Sequence, residues 1–178
     1  MIGVIAVISG CVRYLGEPEP EPGTDYQLKI TVEVVGEINS YDGIYYIVLD
    51  TDEDSAYGPE DDLFFWDDDF YYIKLEDGFF YFARVEEGSP ELQLTDSSYE
   101  GNSLQVIIAL SDLGDPTSID INVLTTDEVD NTYDSLSEYF TIDITYNPSV
   151  EEEDPPNDSE DGPDFDIRKV TAEITTLY

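Results

Sequence analysis

The sequence predicts an all-β fold, an antiparallel β-sandwich of the jelly-roll or immunoglobulin type. The composition is 13% aromatic, with 14 Tyr and 8 Phe, and aromatic and β-branched residues favour strands. Short apolar segments, roughly eight to ten, are separated by turn signals, and no segment sustains a helical period. A hydrophobic fraction of 40% is enough for a core.

The first two predicted strands differ in their pattern. Tyr26 to Val34 alternates apolar and polar residues, as expected for a strand with one buried face. Ile44 to Leu49 is continuously apolar, which predicts a central strand. Residues 39–43 between them form a predicted turn. The sandwich is predicted to span Tyr26 to Tyr146, residues 26–146.

The later strands are short and separated by turns. Glu76-Asp77-Gly78 is a hairpin turn signal between two of them. A short helical turn is predicted at residues 135–138. The remaining strands are predicted at residues 64–66, 70–75, 79–85, 92–94, 104–110, 119–124 and 140–146.

The N-terminal segment, residues 1–11, predicts export to the cell surface. A short apolar run is followed by Ser9-Gly10-Cys11, which resembles a lipobox in which the Cys becomes the lipid anchor. Residues 12–25 contain alternating Glu and Pro, typical of an extended, self-repelling tether. An ordinary apolar N-terminal strand is the alternative interpretation.

The C-terminal region divides into an acidic, Pro-rich linker at residues 147–164 and a strand at residues 165–178. The strand repeats the pattern of Tyr26 to Val34, with one residue inserted. We expect it either to fold back onto its own sandwich or to add to a neighbour's sheet and so build a filament or surface layer. The predicted assembly residues are Phe165, Ile167, Val170, Ala172 and Ile174.

The charge limits the classes of partner. The chain has 43 acidic and six basic residues, for a formal net charge of −37. Such a surface repels nucleic acid and anionic lipid, so membrane contact is expected only through a lipid anchor. With no His and with Cys11 as the only Cys, disulfides within the chain and His-dependent catalytic triads are excluded. We therefore predict no enzyme activity.

Calcium is the predicted cofactor. Four carboxylates follow the strand at Ile44 to Leu49 with a spacing that resembles hard-cation loops. The sixth and twelfth positions of this loop differ from an EF-hand, and a solvated acidic loop is the alternative. The predicted ligands are Asp50, Asp52, Asp54 and Asp61.

Two segments carry a family resemblance. Residues 45–52, Gly58 and residues 68–73, together with residues 106–114 and 119–124, resemble the sandwich family of family-nine carbohydrate-binding modules and DOMON-like domains. The resemblance implies a non-catalytic module that binds sugar, haem or calcium. No haem is expected, because His is absent and the only Met is Met1. The candidate sugar-contacting residues are Trp66, Phe65 and Tyr71.

Three functional classes follow from these observations. The first is an extracellular structural subunit, stabilised by calcium, that associates with itself or with another cell-surface protein through strand addition. The second is a lipid-anchored module that binds polysaccharide or another ligand. An enzyme is the third and least favoured.

Overall fold

The computed structural model describes residues 25–52, 57–60, 63–129, 131–155 and 162–176. The chain forms two antiparallel sheets that pack against each other, which confirms the predicted all-β sandwich. No helix in the described part of the chain has the length and apolar character needed to cross a membrane.

The first sheet has five strands and contains both ends of the described chain. Its spatial order is β11-β12-β1-β7-β6, so β12 and β1 are neighbours near its centre. All of its pairings are antiparallel. The strands are β1 (Tyr26–Val34), β6 (Ser98–Glu100), β7 (Ser103–Ala109), β11 (Ser149–Glu153) and β12 (Ile167–Thr176).

The second sheet has seven strands. Its main order is β10-β8-β2-β3-β4-β5, and β9 pairs with the far end of β8, beyond β10. The strands are β2 (Ile44–Asp50), β3 (Tyr71–Glu76), β4 (Phe79–Arg84), β5 (Leu92–Leu94), β8 (Ser118–Thr126), β9 (Thr132–Ser135) and β10 (Phe140–Asp143).

The main core lies between the two sheets, because successive residues of a strand point to opposite faces. In β1 the inward residues Leu28, Ile30 and Val32 are fully buried, as the alternation predicted. Strand β2 is buried along its whole length. Its outer face joins a second, smaller cluster with Phe70 and Leu124, which covers that side of the sheet.

Two local predictions are wrong. Residues 64–66 were expected to form a strand, but Leu63–Phe65 form a 3-10 turn, in which the Trp66 amide donates to the Leu63 carbonyl at 3.3 Å. An aromatic run does not by itself decide between strand and turn: the run at residues 79–82 pairs with β3 and forms part of β4, whereas residues 63–65 pair with no described strand and close a local hydrogen bond instead. The helical turn expected at residues 135–138 does not form: Ser135 ends β9, and residues 136–138 are an irregular bend.

The predicted boundary of the sandwich at Tyr146 is too early. Ser149–Glu153, placed in the linker by their composition, form β11 and pair with β12. The three glutamates of β11 are exposed on an edge strand, where charged side chains remain solvated while the backbone pairs. The sandwich therefore includes β11 and β12 as structural members of its first sheet.

Candidate functional site

Strand β12 is buried inside the sheet of its own chain in this structure. It pairs with β1 on one side and with β11 on the other. Of the predicted assembly residues, Phe165, Ile167, Val170 and Ala172 are buried in the main core, and Ile174 is half-buried against it. The predicted apolar face of this strand is thus present and is covered by the sandwich.

The outward faces of β1 and β12 are complementary in charge. Lys29 Nζ lies 3.0 Å from Glu173 Oε2, and Lys169 Nζ lies 3.2 Å from Glu33 Oε1. Between these ion pairs, Thr31 lies opposite Thr171. Each strand carries the same order of Lys, Thr and Glu, so antiparallel pairing matches every Lys with a Glu about a local two-fold axis.

A β-bulge explains the inserted residue in the repeated pattern. Glu33 is opposite Lys169, but Val34 is opposite Ile167, so Arg168 is the extra residue of β12. Arg168 is exposed, while its neighbour Ile167 returns to the core. Because the bulge absorbs the extra residue, β12 keeps its apolar side chains in the core on both sides of Arg168 while its Lys and Glu side chains still face their partners on β1.

The entry to β12 is fixed by contacts with the second sheet. Phe165 packs against Tyr45 and Tyr133, with ring centroids 5.7 Å and 4.9 Å away. The Thr125 hydroxyl donates to the Phe165 carbonyl at 2.8 Å. A Cβ at Gly43 would lie 2.5 Å from the Phe165 ring, so only glycine permits this close approach. The start of β12 is therefore held by specific packing as well as by its backbone pairs.

The predicted calcium loop is described only in part. Asp50 ends β2 and is buried, Asp52 is exposed, and Asp54 and Asp61 lie outside the described residues. The Asp52 amide donates to Asp50 Oδ1 at 3.0 Å. Within the described part of the chain, Asp50 Oδ2 is buried and has no hydrogen-bond partner.

The sequence analysis missed two carboxylates near Asp50. Asp120 lies opposite Asp50 on β8, is buried, and accepts a hydrogen bond from the Thr141 hydroxyl. Asp69 is the second missed carboxylate. Burial, together with the charges of Asp52, Asp120 and Asp69, raises the pKa of Asp50 to about 6. Strand pairing brought these acids together, and no local spacing in the sequence could have shown it.

A preformed metal centre is not evident. Across the described ranges, no three His, Cys, Asp or Glu side chains are arranged to hold a metal ion. The Asp50 cluster is nevertheless a place where a cation would relieve repulsion between carboxylates. Calcium at Asp50 and Asp52 stays a prediction.

The candidate sugar-contacting residues do not form one platform. Trp66 packs edge-on against Tyr46 on the outer face of the second sheet, and its indole donates to the Glu60 carbonyl at 3.0 Å. Tyr71 faces the main core, where it stacks on Phe82. Phe65 is exposed. Trp66 and Tyr71 therefore lie on opposite faces of the sheet and cannot bind one sugar ring together.

A surface cleft lies elsewhere on the second sheet. Its volume is about 490 Å³, within the range of small-molecule pockets. The Asn122 amide at its base donates to the Pro59 carbonyl at 2.9 Å. The cleft is lined by Pro59, Glu60, Asn122, Leu136, Ser137, Glu138 and Tyr139.

Comparison with known proteins identifies no relative: no family model, curated protein or solved structure matches the chain. The resemblance to carbohydrate-binding and DOMON-like modules and the lipobox at Cys11 stay predictions, and Cys11 lies outside the described residues.

Proposed function

We propose that this chain is a non-catalytic structural subunit of an extracellular surface, anchored through Cys11, that assembles by exchange of β12 between subunits. The observation that carries the proposal is the match of β1 with β12. Lys29 pairs with Glu173 and Glu33 pairs with Lys169, and these ion pairs join the first and last described strands of the sandwich. The same pairs form whether β12 comes from the same chain or from a neighbour.

The position of β12 suits exchange. It is the last strand of the described chain, and thirteen residues separate the end of β11 at Glu153 from its start at Ile167. Withdrawal of β12 exposes the full edge of β1 and the apolar residues beneath it. A strand from an identical subunit would satisfy the same backbone groups, which is the physical basis of strand exchange and donor-strand addition. Exchange that does not close into a ring gives a filament.

Charge reversal tests exchange without removing the strand. One variant carries Lys29→Glu and Glu33→Lys on β1, and a second carries Lys169→Glu and Glu173→Lys on β12. Each variant alone places like charges opposite each other, whereas exchange between the two variants restores both ion pairs between β1 and β12. Because half-exposed ion pairs contribute only about 0–1 kcal/mol each, we expect altered partner choice rather than unfolding.

The expected result is that mixing the two variants produces mixed complexes, measured by light scattering and native mass spectrometry. A chain with all four reversals is the matched control and should assemble like the wild type. If the mixture contains only the species present in each variant alone, exchange of β12 is excluded.

A lipid-anchored ligand-binding module is the second candidate, favoured by the cleft beside Tyr139. The cleft has carboxylates from Glu60 and Glu138 and an aromatic ring, which are the groups that hold sugar hydroxyls and sugar faces. Binding of an oligosaccharide that Tyr139→Ala abolishes and Phe65→Ala, at an exposed ring that does not line the cleft, preserves would favour this function.

A further inference from the structure

Three buried aspartates meet where the two sheets join, outside the predicted calcium loop. Asp134 belongs to β9 of the second sheet, Asp154 follows β11, and Asp166 precedes β12 of the first sheet. Their exposed fractions are 8%, 6% and 5%. Carboxylates this buried are rare unless paired or bound to a metal ion.

Hydrogen bonds place Asp134 and Asp154 beside the start of β12. The Ile167 amide donates to Asp134 Oδ2 at 2.6 Å, so the carboxylate of Asp134 lies beside the residue that follows Asp166. The Asp154 amide donates to the Arg168 carbonyl at 3.0 Å, which places Asp154 next to the same segment. Asp134 and Asp154 therefore both lie next to the segment that contains Asp166, residues 166–168.

One carboxylate oxygen of this cluster is buried without a hydrogen-bond partner. Among the described residues, Asp154 Oδ2 is buried and finds no hydrogen-bond partner, and Asp154 takes part in none of the ion pairs. Burial, together with the nearby charges of Asp134, Asp166 and Glu152, raises the pKa of Asp154 to about 6. The Asp154 carboxylate is therefore repelled by the neighbouring carboxylates, and it forms no described ion pair that would offset this repulsion.

We propose that Asp134, Asp154 and Asp166 bind a divalent cation, with calcium the best match. The site offers oxygen ligands alone, which hard cations prefer, and calcium accepts six to eight oxygens in irregular geometry, including backbone carbonyls and water. Magnesium requires a near-octahedral shell and gives up its water reluctantly. Because no three described carboxylates already form a coordination shell, the ion would draw these side chains toward one point.

The cation would join the two sheets at the entry of β12. It would link β9 to both sides of the connection between β11 and β12, where Phe165 already packs against Tyr133. This site does not require strand exchange, since all three aspartates belong to one chain here.

The test uses Asp50→Asn as the background, so that the other acidic cluster cannot account for the response. The full chain with Asp50→Asn is compared with the double variant Asp50→Asn and Asp154→Asn, each with calcium chloride or with chelator at constant ionic strength. We expect calcium at about one hundred times its dissociation constant to raise the melting temperature of the background by about 5 to 10 °C. The double variant should show no such shift, and it should melt higher than its parent in chelator because one buried charge is gone.

Calorimetric titration with calcium should show one more binding event in the background than in the double variant. An equal calcium shift in both proteins, or no shift in either, overturns the proposal. A shift of equal size with magnesium overturns the assignment to calcium.

Discussion

A chain that ends at residue 164, and so lacks β12, is expected to lose cooperative unfolding altogether. Strand β12 contributes Ile167, Val170 and Ala172 to the core, each with no exposed surface, and Phe165 packs beside them. Burial of an Ile, Val or Phe side chain contributes about 1.5–3 kcal/mol, while a whole domain is stable by only about 5–15 kcal/mol. Loss of these groups also leaves the full edge of β1 unpaired.

A synthetic peptide of residues 165–178, added to the truncated chain, should restore the sandwich. Far-UV circular dichroism and thermal melting measure the recovery. A peptide with Val170→Asp and Ala172→Asp is the matched control and should fail, because it places charges in the core. A truncated chain that melts cooperatively near the wild-type temperature would show that β12 is dispensable for the fold.

Asp50→Asn is expected to stabilise the protein at neutral pH by about 2–3 kcal/mol. The folded pKa of Asp50 is raised from 3.8 to about 6, so the folded state resists ionisation more than the unfolded state does. The wild type is therefore most stable, with respect to this group, below about pH 4 and loses that contribution as the pH rises through 6. Each unit of pKa shift corresponds to about 1.4 kcal/mol.

The difference in unfolding free energy between variant and wild type should follow this titration. It should be near zero below about pH 4, grow between about pH 4 and 6, and remain constant above that range. Denaturant unfolding at several pH values, in chelator, measures it. Asp112→Asn, at an exposed carboxylate, is the control and should change stability by less than about 0.5 kcal/mol. A difference between Asp50→Asn and wild type that does not vary with pH would contradict a raised pKa.

The alternation of apolar residues predicted the fold class and most strands. Tyr26–Val34 matched its predicted bounds because period-two patterning records the buried face directly. The continuous apolar run of Ile44 to Leu49 predicted a central strand, and the structure confirms it, since β2 lies between β8 and β3. The sequence analysis missed β11 because this edge strand consists largely of glutamates. Its position depends on backbone pairing with β12, and backbone pairing gives no hydrophobic pattern in the sequence.

The acidic clusters could not be predicted from local spacing. With 43 acidic residues in the chain, spacing alone does not distinguish a buried carboxylate from a solvated one. Asp50 lies opposite Asp120 only because β2 pairs with β8. Asp134 reaches the residue that follows Asp166 only because the two sheets join there. The repeated pattern in β1 and β12 was visible in the sequence. Only the register of the two strands shows that each Lys of one strand lies opposite a Glu of the other.

The most direct test of strand exchange is a disulfide between β1 and β12. Thr31 and Thr171 are opposite each other, and directly opposite residues in antiparallel strands lie within the range that a disulfide spans. A chain with Thr31→Cys, Thr171→Cys and Cys11→Ser is oxidised after assembly and run on a denaturing, non-reducing gel. A chain with Thr31→Cys and Cys11→Ser controls for random dimers. Exchange predicts a ladder of covalent multimers that reductant collapses to one band, whereas complete oxidation to a monomer with an internal disulfide would contradict it.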